Sequence, residues 1–142
     1  MDWGIHLPQL GKQVSRENLK SFAERIDTLG IHSGWVSDHV CWPAQFEPNY
    51  PYTDDGSFPA PNDMAWLDPI GTLLFVSACT ENLKLGTTVL ILPYRLPVIT
   101  AKQLATLDVL SNGRLILGAG IGWMKEEAEV LGMPFDNRGA RS

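Results

Sequence analysis

Two stretches of the chain carry residue types suited to chemistry: Asp38-His39, and the glycine run Gly118-Ala119-Gly120-Ile121-Gly122. A histidine exchanges protons near neutrality, and a carboxylate in contact with it raises its proton affinity. Neighbours at a strand end commonly point apart, so the sequence leaves open whether Asp38 meets His39. Asp38-His39-Val40-Cys41 offers no evident fourth ligand and is not taken as a metal site. The glycine run lacks the G-x-G-x-x-G spacing of dinucleotide sites, and no later strand supplies an acid for a ribose. Two readings of it stay open: a place where a ligand approaches bare backbone, and a tight strand-to-helix turn. Further candidates are weaker. His6 and Gln9 end the first expected strand, His32 precedes the second on the side away from the chemistry, and Trp35 and Trp66 read as core. Glu126 and Glu127 open a short helix, where the helix dipole favours acids, and that is the role assigned to them.

The elements that would position these groups follow from hydrophobic spacing. Trp3 to Leu7 reads as a strand ended by Pro8. Ser15 is a candidate N-cap for a helix in which Leu19, Phe22, Ala23, Ile26 and Leu29 recur at helical spacing before Gly30. Gly34 to Ser37 forms a second strand, which delivers Asp38-His39 at its C-terminal end. Asp68-Pro69 opens a second helix that ends near Thr80. Leu85 to Ile91 reads as a third strand. A third helix starts at Pro97, carries Ile99, Leu104, Leu107 and Leu110 as its stripe, and stops at Asn112-Gly113. Leu115 to Leu117 forms the fourth strand and runs into the glycines, after which Lys125 to Leu131 make a short helix. Asn137 to Ser142 reads as the approach to another element.

Regularity fails from Val40 to Ala65, where five of the ten prolines fall together with Trp42, Phe46, Tyr50, Tyr52 and Phe58. This long loop, at about 40–67, either covers an apolar ligand with its rings or packs on itself. A chain of 142 residues with net charge -5 suits one domain and presents no basic footprint, which argues against nucleic acid or an anionic membrane as partner and for a small molecule. No leader-length apolar run and no membrane-spanning stretch is present, so a cytoplasmic protein is expected. Cys41 and Cys79 are expected to be reduced.

Four strand-helix units in succession predict an α/β fold with a parallel sheet and helices on its outer face. A (β/α)8 barrel cut in half and a doubly wound sheet both accommodate that pattern, and both put ligands at the C-terminal strand ends. Helices on both faces of the sheet would favour a flavodoxin-like or Rossmann binding domain.

The succession Gly4-Ile5-His6-Leu7-Pro8-Gln9, Ser37-Asp38-His39, Leu85-Gly86-Thr87-Thr88-Val89, Lys102 to Asp108, and Ser111-Asn112-Gly113-Arg114-Leu115 through Gly122-Trp123 resembles the luciferase-like monooxygenase superfamily. Within it the chain looks most like oxidoreductases that use the deazaflavin coenzyme F420, with FMN the alternative cofactor. The resemblance implies that residues 1–142 form the N-terminal half of a (β/α)8 barrel, its first four βα units. It further implies hydride exchange between the cofactor and a small organic substrate, a homodimer in the full-length form, and little activity for this half alone. The alternative is a non-catalytic half or subunit that pairs with another chain. By the same resemblance His39 and Asp38 lie beside the cofactor ring, with His39 in proton handling or ring contact. It places a non-prolyl cis peptide at Thr88-Val89 against the ring face, and Gly120, Ile121 and Gly122 in the pocket wall. Some sugar-phosphate dehydrogenases of the family carry a glutamate after the glycine turn; this chain has Trp123, which disfavours that substrate class.

Overall fold

The computed structural model describes residues 1–47, 49–59, 61 and 64–142. Four parallel strands form the main sheet in the order β1 (Gly4–His6), β2 (Ser33–Val36), β3 (Lys84–Thr87), β5 (Leu115–Ile116). Within this sheet each strand pairs with the one that follows it in the order given, Ile5 opposite Gly34, Gly34 opposite Leu85, and Leu85 opposite Leu115. A doubly wound sheet reverses its strand order, whereas this one advances in a single direction, as the strands of a barrel do. The fold is α/β, a partial (β/α)8 barrel of four units with its helices on the outer face.

The crossovers are α1 (Arg16–Thr28), α2 (Pro69–Ser77) and α3 (Pro97–Leu110). Ser15 caps α1 by accepting from the Asn18 N–H at 3.1 Å, and Asp68 caps α2 by accepting from the Gly71 N–H at 2.7 Å. Asn112 and Gly113, at φ 56° and 71°, turn the chain out of α3. Leu19, Ala23, Ile26, Leu73, Val76 and Leu107 pack onto Leu7, Val36, Leu83 and Leu85 to make the core between helices and sheet. On the opposite face, Trp35 covers Gly4 and Gly86, where any Cβ would overlap its ring. Trp35 is half-buried on that inner face, with its indole N–H donating to Ser33 Oγ at 2.9 Å, and so is not part of the helix-packed core.

Three expectations change. The third strand is not continuous to Ile91. The Thr88-Val89 peptide is cis, as the resemblance implied, and beyond it β4 (Leu90–Ile91) leaves the main sheet to pair with β6 (Ala119–Gly120). The glycine run is therefore half strand and half turn, and its missing side chains serve the protein's own packing. A Cβ at Gly118 would overlap the Thr87 carbonyl, at Gly120 the Val89 side chain, and at Gly122 the Tyr94 hydroxyl. Third, of the α3 stripe Leu107 is buried, while Ile99 and Leu110 are exposed, because α3 packs against α2 and β5 only along one narrow face. α4 (Lys125–Val130) follows β6, and Arg138–Arg141 form a single 3-10 turn. No helix among the described residues is long and apolar enough to cross a membrane.

Arg114 joins the outer layer to the sheet. Its buried guanidinium donates to the carbonyls of Ser77, Leu83 and Ser111 and to Thr80 Oγ1, at 2.6–3.0 Å. Several carbonyls at the end of α2 and beyond thus depend on one side chain. Arg114→Leu is expected to destabilise the chain by about 2–4 kcal/mol, because it strands buried acceptors that water does not reach. Urea unfolding of the two proteins measures this.

Candidate active site

The C-terminal strand ends open onto a cavity of about 810 Å³. Its lining includes Asp38 and His39 from the end of β2, Thr88 and Val89 at the cis peptide, Gly120, Ile121 and Gly122 after β6, and rings from the long loop. All seven residues singled out for chemistry or cofactor contact thus share one cavity.

Asp38 and His39 turn to different partners. The Asp38 carboxylate, with a side chain 0% exposed, accepts from the Ile91 N–H at 2.8 Å and pairs with Arg95 at 2.9 Å. It fixes the chain just after the cis peptide and leaves His39 to another acid. That acid is Glu127. One carboxylate oxygen meets His39 Nδ1 at 2.7 Å, and the other accepts from the N–H groups of Val40 at 2.6 Å and Cys41 at 3.2 Å. Both side chains of this pair are buried, 7% exposed for His39 and 0% for Glu127. With Glu127 accepting, Nδ1 is the protonated nitrogen of neutral His39, and Nε2 is left for exchange.

Glu127 went undetected in the sequence because acids in a first helical turn satisfy the dipole without any partner. Its neighbour Glu126 is also more than a dipole charge, accepting from the Glu47 N–H at 2.9 Å. A long loop whose N–H groups need acceptors, beside two consecutive glutamates, is the signal that was available. Gln9, expected at the rim, is instead fully buried. Its side-chain amide donates to the Ser37 and Leu67 carbonyls and accepts from the Ser37 N–H, clasping both roots of the loop. His6 stays exposed, with Nε2 3.3 Å from Thr88 Oγ1.

The loop rings gather around the imidazole. His39 lies edge-on to Trp42 at 4.7 Å, Trp66 at 4.9 Å and Trp123 at 5.9 Å between centroids. Phe58 stacks with Trp123 at 6.3 Å, and Tyr50 meets Trp123 at 5.2 Å. The loop therefore packs on itself and walls the cavity at once, and Trp66 belongs to this wall. A second cavity of about 190 Å³ lies beside His39, Val40, Cys41, Trp42, Met64 and Trp66, so the imidazole stands between two spaces. Among the described residues no cluster of three or more His, Cys, Asp or Glu side chains could hold a metal. Cys41 and Cys79 are free thiols, and burial pushes the Cys41 thiol above its ordinary range, with Glu127 adding to the effect.

The family model described as luciferase-like monooxygenase matches residues 4–142. The chain belongs to that family. A curated relative, the F420-dependent glucose-6-phosphate dehydrogenase of Amycolatopsis mediterranei, is 34% identical over 122 residues, covering 85% of this chain and 32% of the relative. The coenzyme F420-dependent tetrahydromethanopterin reductase of Methanopyrus kandleri superposes with a TM-score of 0.63 at 25% identity, over 94% of this chain and 30% of that one. The FMN complex of the oxygenating constituent of 3,6-diketocamphane monooxygenase from Pseudomonas putida shares the fold, at a TM-score of 0.69 and 20% identity over 99% of this chain and 36% of that one. The chain spans about two fifths of the length of the first curated relatives it matches. Relatives of this chain thus include F420-dependent oxidoreductases, and the neighbour in complex with FMN shares its fold.

Two predictions follow from the carboxylates. Burial pushes the Asp38 carboxyl above its ordinary 3.8, against the pull of Arg95 and the Ile91 N–H, while Glu127 and Asp68 push the same way. A folded value above the unfolded one means that the stability this group contributes is fully present below 3.8 and is lost as pH rises through the folded value. Wild type should therefore lose stability relative to Asp38→Asn over that rise, in urea melts at a series of pH values. In Glu127→Gln, ¹⁵N spectra of the imidazole should show His39 no longer held in the Nδ1-protonated form, with a stability loss of about 1–3 kcal/mol.

Proposed function

We propose that this chain supplies the first half of a barrel oxidoreductase that uses coenzyme F420, with FMN as the alternative, to act on a small organic substrate. The single observation that carries the reading is the His39–Glu127 pair, presented at the strand-end cavity beside the cis Thr88-Val89 peptide. The relatives' cofactors support it.

The residues present fit the ring portion of such a cofactor. Val89 and Ile121, both partly exposed in the cavity, offer apolar contact, Thr88 offers a hydroxyl, and Gly120 and Gly122 present main chain to the lining. Arg138, in the same lining, donates to the Gly122 and Phe135 carbonyls through two of its five N–H groups, and its charge and remaining donors suit an anionic group. Thr88, Val89, Gly120, Ile121 and Gly122 would hold the ring.

The bound cofactor supplies hydride or oxygen chemistry, and the protein supplies position and a proton. His39 Nε2 gives up or takes the proton, Glu127 holds the tautomer and the ring orientation, and the loop rings keep bulk water from the imidazole. The smaller cavity has room for a few ordered waters that return the proton to His39. Asp38 acts as a positioning residue through Ile91 and Arg95.

A second reading is favoured by one observation. Among the described residues β1 and β5 are the outer strands of the sheet, and Leu96, Val98, Ile99, Val109 and Leu110 are exposed around α3. Such surface suits a chain that pairs with a complementary half, and alone it would have little activity. Sedimentation together with titration by F420 and FMN separates the two: a monomer that binds either cofactor tightly needs no partner. In the complete enzyme His39→Ala is expected to lower turnover at least about a hundredfold with cofactor affinity largely kept, and unchanged turnover would remove His39 from the mechanism.

A further inference from the structure

We propose that the aromatic wall of this cavity is also a route for electrons, along which a one-electron oxidant at the site is quenched from the protein surface through Trp123, Tyr50 and Tyr52. The inference rests on the oxidoreductase reading for the source of the oxidant, an oxygen-derived radical that escapes cofactor chemistry, and on the rings alone for the route. Indole and phenol are the aromatic side chains that give up an electron most readily. Here they form an unbroken series. Trp123 lines the cavity and lies 5.9 Å from the His39 ring, Tyr50 follows at 5.2 Å from Trp123, and Tyr52 at 5.3 Å from Tyr50. Centroid separations of this size are direct ring contacts. The series ends in water, because Tyr52 is 82% exposed.

Each transfer balances. The oxidant takes one electron from Trp123, whose indole N–H proton leaves into the cavity. The indolyl radical then takes an electron and a proton from Tyr50, and the phenoxyl radical so formed takes the same from Tyr52. A soluble reductant returns one electron and one proton to Tyr52. The rest of the wall feeds this line and does not hold the charge. Trp66, 4.9 Å from His39 on its other contact, has a buried indole N–H with no hydrogen-bond partner among the described residues. An oxidised Trp66 therefore has nothing to receive its proton and stays a buried cation, which is costly. Phe58 touches Trp66 at 6.1 Å and Trp123 at 6.3 Å, so a single ring separates that cation from the route outward. Tyr94, the third tyrosine of the chain, packs in another cluster with Ile91 and Ala128, and its hydroxyl donates to the Met124 carbonyl at 3.0 Å.

Pulse radiolysis of the 142-residue chain without cofactor tests the route. The azide radical oxidises tryptophan ahead of tyrosine, and a Trp3→Phe background removes the 65% exposed indole at the start of β1. In that background the indolyl absorption is expected to decay with a matching growth of phenoxyl absorption, at a rate independent of protein concentration, and added ascorbate should bleach the phenoxyl signal. Tyr50→Phe is expected to lose the growth. Tyr52→Phe should keep it and lose the response to ascorbate. Both substitutions retain the ring, so the packing of the wall is preserved. The proposal is overturned by an absence of phenoxyl growth, by a growth rate that scales with protein concentration, by growth that survives Tyr50→Phe, or by an ascorbate response that survives Tyr52→Phe. Growth persisting with both tyrosines replaced would put the radical on Tyr94. The cofactor titration fails separately: transfer measured in a chain that binds neither F420 nor FMN would keep the route and sink the oxidoreductase reading, while cofactor binding without transfer would do the reverse.

Discussion

A fully buried carboxylate must be surrounded by donors, and most of this site follows from how Glu127 meets that demand. Its three donors come from three consecutive residues, His39, Val40 and Cys41, at the point where the chain leaves β2 for the long loop. The donors are distant in sequence, so the contact is made only when α4 closes on the rim. Once made, it orients the imidazole and fixes the loop's first turn together. A carboxylate left there without those donors would be costly to bury, and the helix, the loop and the histidine are therefore mutually dependent.

The same logic explains why two adjacent residues divide their labour. Asp38 and His39 take different partners at the strand end, one Arg95 and Ile91, the other Glu127. Asp38 sets the backbone of β4, which pairs with β6, and through it the floor of the cavity. His39 brings its imidazole to the cavity lining. Neither duty requires the two side chains to touch.

Much of this organisation was legible in the sequence. Strands showed as short β-branched runs, helices as caps and stripes, and the strand-end rim as the common destination of Asp38, Val89 and Gly120. What was hidden was long-range. Acids at a helix start are explained by the dipole alone, so nothing local marked Glu127 as the partner of a residue far upstream. Ile91 continued an apolar alternation that one strand would produce, and only the sheet shows the chain changing partners after Thr88. The glycines advertised bare backbone, yet their vacant Cβ positions are taken by Thr87, Val89 and Tyr94. Close approach was inferred, and the groups that fill the vacant Cβ positions belong to the chain itself.

The long loop has one further property. Gln9 grips it at the Ser37 and Leu67 main chain, Glu127 at the Val40 and Cys41 amides, and Glu126 at the Glu47 amide. These fastenings engage peptide groups that every residue except proline possesses. The loop can accordingly be rewritten side chain by side chain while its moorings hold, which makes it an interchangeable cassette on which new selectivities can be drafted without redesigning the scaffold beneath.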